Sequence, residues 1–190
     1  QPVANTLSTP KPFVAIDKQT FARNILTSLP SENGWKTRST RHYLFVYNTT
    51  AEFALATSRI LETMLPGIRK FSENQKIPTS DPLVPMALIM FSTEREFQAY
   101  RPVARGVRAY YEPVSNRVVL YQEQRSAADL KPELAIRQSI STIAHEGVHQ
   151  ILHNIGVQQR LSYWPMWISE GLAEYFAPTS VAKRMRWKGL

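Results

Sequence analysis

The sequence predicts an α+β domain in which a small mixed β-sheet precedes two helices at the C-terminal end. Three patterns predict this: a strand–helix–strand alternation, a hairpin, and a long helix followed by a shorter one. The chain has 190 residues, of which 43% are hydrophobic, which is enough for one compact core. We expect residues 1–35 to form an irregular N-terminal arm and residues 36–190 a single domain. The tail carries no helix-ending pattern, so a continuation past Leu190 is compatible with it.

The N-terminal half contains the strand–helix–strand pattern. A short helix is predicted at residues 18–27, and the aromatic and β-branched run of residues 41–48 (RHYLFVYN) predicts a strand. Thr49 and Glu52 have the spacing of a capping box, and apolar residues then recur at helical spacing. We expect this helix to break or kink at Pro66, because proline removes a backbone donor.

The remaining sheet comes from two further segments. The apolar run of residues 83–91 predicts one buried strand, parallel to the first strand because a helix separates the two. A second capping box, Thr93 with Glu96, predicts a short helix over residues 92–100. Residues 107–122 then predict a β-hairpin.

Two helices are expected at the C-terminal end. Pro132 suits the first turn of a long helix, and Gly156 suits its C-terminal cap. A shorter helix is predicted from about residue 165 to residue 177, where Pro178 stops it.

The long helix carries the segment HEGVH, residues 145–149, which has the pattern HEXXH. Residues four apart lie one turn above each other, so His145 and His149 can bind one ion, and zinc favours such ligands. Glu146 lies about 100° round the helix, where it can act as a general base on metal-activated water. Gly147 could admit a substrate or another backbone, and plain sequence drift explains it equally well.

The alternative is an ordinary amphipathic helix, because a bare HEXXH also occurs by chance. Uncharged neighbours favour the metal site, since they keep competing carboxylates away. The extended motif HEXXHxxGxxH of the metzincins is excluded by Leu152 and Ile155 at its last two fixed positions. His153 lies about 12 Å along the helix axis from His145, so we expect it to be a surface or edge histidine and not a ligand.

The segment WISEGLAEYFA, residues 167–177, offers two carboxylates on one helical face, Glu170 and Glu174. If this helix turns back against the first, Glu170 completes a His–His–Glu site and leaves the fourth position to water. Glu174 would then accept the outer N–H of a ligand histidine. The alternative is a solvated acidic face. The apolar residues of the segment argue against it, because they predict burial, and buried carboxylates need cationic partners.

HEGVH followed by WISEGLAEY resembles the gluzincin metallopeptidases, the clan of thermolysin and of the aminopeptidases with a W-x-x-E-G segment. Over residues 41–177 the order of elements is similar to that of a bacterial, planctomycete-type family of uncharacterised gluzincin-like domains. The resemblance implies zinc as the cofactor, a peptide or protein as the substrate, and the roles already given for His145, Glu146, His149, Glu170 and Glu174. Larger gluzincins add a C-terminal helical lobe that supplies a tyrosine or histidine, whereas this chain ends soon after the glutamate helix.

We therefore expect a zinc metallopeptidase, in which the oxyanion needs a donor besides the metal. Tyr163 is the candidate for that donor. Arg108, Tyr110 and Tyr111 are others, and each of them can equally be a packing residue.

The substrate is expected to bind along the hairpin. Residues 117–121 form its better strand, and an extended peptide could add to that strand if it lies at a sheet edge. Arg117, Val119 and Tyr121 would then contact the substrate. An interior position for this strand is equally compatible with the sequence.

Charge and composition limit the other functions. The formal net charge is +8, but the basic residues are scattered, and no nucleic-acid motif accompanies the densest group at residues 183–188, so we expect no nucleic-acid partner. No apolar run approaches the roughly 20 residues that span a bilayer. Cysteine is absent, which excludes thiolate zinc sites. The chain lacks a Met start and a signal peptide, as a mature or trimmed product would, and we expect an extracytoplasmic or secreted bacterial protein.

The sequence gives less support to two other functions. A non-catalytic, zinc-stabilised binding module is the main alternative, although a purely structural site does not need the base Glu146. A serine hydrolase is disfavoured, because no G-x-S-x-G occurs and the S-x-x-K at residues 8–11 lacks its companion motifs.

Overall fold

A computed structural model describes residues 17–122 and 132–177. The strands are β1 (Lys36–Ser39), β2 (Tyr43–Tyr47), β3 (Met86–Phe91), β4 (Ala109–Glu112) and β5 (Arg117–Tyr121). The α-helices are α1 (Lys18–Leu26), α2 (Ala51–Asn74), α3 (Glu94–Tyr100), α4 (Pro132–Asn154) and α5 (Met166–Phe176), with a 3₁₀ turn at Ser31–Asn33. The predicted α+β class with a mixed sheet is confirmed.

The sheet has the order β1-β2-β3-β5-β4. Strands β2, β3 and β5 are parallel to one another, while β1 and β4 are antiparallel edge strands. The predicted parallel pair and the hairpin are confirmed. Of the two positions left open for residues 117–121, the structure shows the interior one, because β5 lies between β3 and β4.

Both faces of the sheet are covered by helices. Alternate strand residues such as Phe45 and Leu88 face α2, α4 and α5 in one core cluster. The intervening residues, such as Val46 and Ile89, face α1 and α3 in a second cluster. Burial on both sides explains why β2 and β3 are continuous apolar runs and not alternating ones.

The N-terminal helix α1 belongs to the packed part of the molecule. Ala22 and Ile25 on α1, and Leu29 after it, are buried in the cluster beneath the sheet. Asp17 caps the helix by accepting from the Thr20 N–H, as the predicted short helix requires. The domain boundary at residue 35 stays a prediction.

Helix α2 continues through Pro66, so the predicted break is wrong. Leu61, Met64, Leu65 and Ile68 flank the proline and are all buried in the core. Pro66 itself is exposed, so the carbonyl that loses its helical partner lies near water. Burial of the helix outweighs the local cost of proline, since tertiary packing supplies most helical stability.

The third strand is shorter than predicted, because it begins at Met86 and Leu83 is 75% exposed. Gly156 ends α4 with a φ of 86°, as its predicted capping role requires. No helix within residues 17–122 and 132–177 is long and apolar enough to cross a membrane. The basic group at residues 183–188, Pro178 and residues 8–11 lie outside the described residues.

Candidate metal centre

Helices α4 and α5 bring the three predicted ligands together. The Nε2 atoms of His145 and His149 lie 3.3 Å apart. Glu170 Oε2 lies 3.1 Å from His145 Nε2, and Glu170 Oε1 lies 3.5 Å from His149 Nε2. One donor atom from each residue lies within 4.8 Å of the others, so this group could hold a metal ion.

The turn between the two helices explains this convergence. The Gln158 N–H donates to the Leu152 carbonyl, and Trp164 Nε1 donates to the Gln159 carbonyl, which closes the connection back onto α4. On α5, Phe176 is buried and packs edge-on against Phe71 of α2, with ring centroids 5.1 Å apart. Because α5 is held in this way, its ligand lies over the histidines.

The distances fit a small tetrahedral ion. A zinc ion at roughly 2.0–2.1 Å from each donor would place neighbouring donor atoms about 3.3–3.4 Å apart. The Nε2–Nε2 separation of 3.3 Å matches that value, and each histidine nitrogen lies within 3.5 Å of one of the two Glu170 oxygens. Burial lowers the pKa of His149, which favours the neutral imidazole that binds a metal.

Glu174 lies where it orients one ligand. Glu174 lies one turn after Glu170 on α5. Its Oε1 is 3.0 Å from His145 Nδ1. A hydrogen on Nδ1 of His145 would face this carboxylate, and that tautomer would leave the Nε2 lone pair for an ion.

The outer face of α5 is more exposed than the sequence indicated. Trp167 is 77% exposed, and the side chains of Glu170 and Glu174 are 51% and 76% exposed. The argument that burial forces a partner on these carboxylates is therefore wrong. Their distances from the histidines support the site instead.

Glu146 stands beside the group without joining it. Its Oε2 accepts the main-chain N–H of Tyr111 at 2.8 Å, so it faces the edge strand β4. Burial raises the pKa of Glu146, and the neighbouring Glu170 acts in the same direction. His145 and the Tyr111 N–H act in the opposite direction.

Gly147 is explained by packing and not by a substrate. A Cβ added at this position would lie 2.3 Å from Leu61 Cδ2. Leu61 is completely buried on α2, so the glycine lets α2 approach α4, the helix with two candidate ligands. The group that comes close to Gly147 is therefore a side chain of α2, that of Leu61.

His153 lies outside the group that could hold the ion, as predicted, and it is half-buried. Its Nδ1 is 3.2 Å from the Tyr111 hydroxyl, and the two ring centroids are 5.4 Å apart. Burial lowers the pKa of His153 to about 4, and the nearby His149 and Arg160 add to this.

The candidate oxyanion donors are not collected at the site. Tyr163 is 92% exposed and has no hydrogen bond to the three ligands within the described chain. Tyr110 packs against Phe97, with ring centroids 5.6 Å apart, on the other face of the sheet. The Tyr111 phenol is engaged by Asn116 and His153, and for Arg108 the donor role stays a prediction.

The predicted substrate contacts on β5 lose their basis. Val119 and Tyr121 face the cluster with α1 and α3, across the sheet from α4. Arg117 lies on the same side, since strand residues alternate between faces. With β5 also interior, an extended peptide cannot add to it, so the expected binding along residues 117–121 is wrong.

Sequence reasoning missed the residues that tie the hairpin to α4. Asn116 in the hairpin turn and Asn154 at the end of α4 exchange two side-chain hydrogen bonds, at 2.9 and 2.7 Å. Buried Gln150 donates to the carbonyls of Ala87 and Asn116. Asn116 has a φ of 57°, a conformation that asparagine adopts in turns more readily than most residues do.

The C-terminal part of the chain matches a described family. A family given as "Protein of unknown function (DUF1570)" matches residues 139–190. The match spans the segments that carry the three candidate ligands. No curated protein matches the chain.

Proposed function

We propose that this protein is a zinc-dependent peptidase that hydrolyses peptide bonds with a glutamate base. The observation that carries the proposal is the convergence of His145, His149 and Glu170, with Glu146 next to them and free of the ligand group. Two nitrogen donors and one carboxylate are the ligand set that catalytic zinc uses, with one position open.

The chain's own residues have separate tasks in this proposal. His145, His149 and Glu170 would hold the ion, and Glu174 would keep His145 in the binding tautomer. A bound zinc ion would polarise the peptide carbonyl and make water acidic enough to attack at neutral pH. Because Tyr111 occupies Oε2 of Glu146, Oε1 is left to take the proton of the attacking water and pass it to the leaving amine.

A polypeptide substrate is supported by two points. The two motifs resemble those of gluzincin metallopeptidases. Met166 and Trp167, one turn before Glu170 on α5, are 78% and 77% exposed, which suits contact with apolar side chains of a bound chain.

The same exposed surface favours one alternative, a zinc-stabilised binding module without catalysis. Large apolar side chains concentrate beside the site at Leu161, Tyr163, Met166 and Trp167. Such a patch marks interaction sites in general and does not require chemistry.

Hydrolysis of a mixed fluorogenic peptide pool, with zinc and with a chelator, tests the proposal. We expect zinc-dependent cleavage that Glu146→Gln abolishes while the zinc content stays the same. Glu52→Gln on the exposed start of α2 is the matched control and should cleave normally. Full activity in Glu146→Gln would overturn the assignment of Glu146 as the base. Bound zinc without cleavage in the wild type would overturn the peptidase and favour the binding module.

A further inference from the structure

The edge strand β4 presents one main-chain donor to the metal-binding helix. In the β4–β5 pair, Tyr110 lies opposite Val119, and the Tyr121 N–H donates to the Arg108 carbonyl. Antiparallel residues alternate between pairing and facing away, so the Tyr111 N–H points away from β5. It donates to Glu146 Oε2 at 2.8 Å.

The side chain of Tyr111 is fastened to the same helix further along. Its hydroxyl donates to Asn116 Oδ1 at 3.1 Å and lies 3.2 Å from His153 Nδ1. Because the single phenolic hydrogen goes to Asn116, the oxygen is left to accept from His153. Burial raises the pKa of the Tyr111 phenol, so it keeps this hydrogen.

The two attachments lie two turns apart on one face of α4, since Glu146 and His153 are seven residues apart. Asn116 is itself fixed, because Asn154 Nδ2 donates to its Oδ1 at 2.7 Å. The phenol therefore fixes the position of β4 relative to α4. The main-chain N–H of the same residue then meets one carboxylate oxygen of Glu146.

We propose that Tyr111 is the positioning residue for the general base. Its N–H holds Glu146 Oε2, and its phenol, bound to Asn116 and His153, keeps that N–H in place. A glutamate side chain has several rotamers, and holding one oxygen reduces them and directs the other oxygen. The catalytic consequence rests on the proposed peptidase function, whereas the hydrogen bond itself does not.

The chain provides a matched pair of variants. Tyr111→Phe removes the hydroxyl that binds Asn116 and His153. Tyr110→Phe removes the hydroxyl of the preceding residue of the strand. That hydroxyl oxygen is buried without a hydrogen-bond partner among the described residues. We expect kcat to fall on the order of 10-fold in Tyr111→Phe, because small displacements of reacting groups are costly. KM and zinc content should stay as in wild type, the loss of two hydrogen bonds should lower the melting temperature only modestly, and Tyr110→Phe should keep kcat.

Amide hydrogen exchange in the zinc-free protein tests the contact without activity. The Tyr111 amide faces outward from the sheet, so its protection depends on Glu146. We expect Glu146→Ala to speed its exchange by about 10-fold or more, and Glu146→Gln, whose amide oxygen can still accept, to leave it slow. The Tyr110 amide, which faces β5, is the internal reference.

The outcomes separate the two proposals. Unchanged Tyr111 exchange in Glu146→Ala overturns the contact, even if the wild type cleaves nothing. A kcat in Tyr111→Phe equal to that of Tyr110→Phe overturns the positioning role while the peptidase stands. A Tyr111→Phe protein that also loses zinc, or no longer unfolds cooperatively, would show a structural role instead. His153→Leu, which removes the same contact from α4, should repeat the kcat loss if positioning is correct.

Discussion

Leu61 fills the space that a side chain at Gly147 would need, since a Cβ there would lie 2.3 Å from Leu61 Cδ2. The contact joins the centre of α2 to the HEXXH segment of α4. The helix that carries two candidate ligands is therefore positioned by core packing, and its glycine is a requirement of that packing.

We expect Gly147→Ala to lower stability. Leu61 is fully buried, so its methyl can move only into other core atoms, and overpacking costs about 1–3 kcal/mol. The better helix propensity of alanine offsets up to about 1 kcal/mol. Urea unfolding of the zinc-free protein measures the net loss.

Gly171→Ala is the control, because a Cβ there meets no atom within 4 Å in the described chain. It should stabilise α5 by roughly 0.5–1 kcal/mol. Equal stabilisation by both substitutions would contradict the packing role of Gly147.

Removal of a ligand should remove the metal. We expect about one zinc per chain in the wild type, as a three-ligand site implies, and none tightly held in His149→Ala. His42→Gln is the control, since His42 is paired with Glu62 and lies outside the group that could hold the ion. Elemental analysis after gel filtration measures the zinc content of each protein. Full occupancy in His149→Ala would rule out this ligand set.

Loss of the carboxylate beside His145 should weaken metal binding without abolishing it. Glu174 Oε1 lies 3.0 Å from His145 Nδ1, and losses of such partners typically cost 10–100-fold in affinity. We expect a weakening within that range for Glu174→Ala in competition with a zinc-chelating dye. A smaller effect in Glu174→Gln would fit an oxygen that still accepts, and wild-type affinity in both variants would exclude the orienting role.

The candidate site could be predicted because its geometry is local. Helical spacing alone places His145 above His149, and a short connection returns Glu170 to them. The position of Tyr111 could not be predicted in this way, because its main-chain N–H is a donor that every residue type except proline carries.

The fold was predictable where the local sequence pattern determines which residues are buried. It was not predictable where the position of an element depends on neighbouring strands or helices. β1 (Lys36–Ser39) is fully exposed and polar, so only its pairing with β2 makes it a strand. The interior position of β5 depends on β3 and β4 lying on its two sides, and central and edge strands have the same pattern. Pro66 gave a local expectation that core packing of α2 overrode.

That override has a measurable cost. Pro66 removes one helical donor in the middle of α2, and its side chain is exposed, so alanine can replace it without disturbing the core. Proline in a helix interior costs about 3 kcal/mol relative to alanine, less the entropy that proline removes from the unfolded chain. We expect Pro66→Ala to raise the free energy of unfolding by about 1–2 kcal/mol in urea titrations. A destabilised variant would show that the helix depends on the proline.

His153 should make stability depend on pH in a defined window. Burial lowers its pKa to about 4 in the folded protein, whereas an unperturbed histidine titrates at 6.5. Between these values the unfolded chain binds a proton that the folded chain excludes, so the free energy of unfolding falls as the pH falls through the window. Above pH 6.5 the contribution is fully present.

We expect His153→Gln, zinc-free, to lose less stability between pH 6.5 and pH 4 than the wild type does in urea titrations. His149, whose pKa burial also lowers, is present in both proteins and cancels in the comparison. Parallel stability curves for the two proteins would show that burial does not hold His153 neutral in the folded protein.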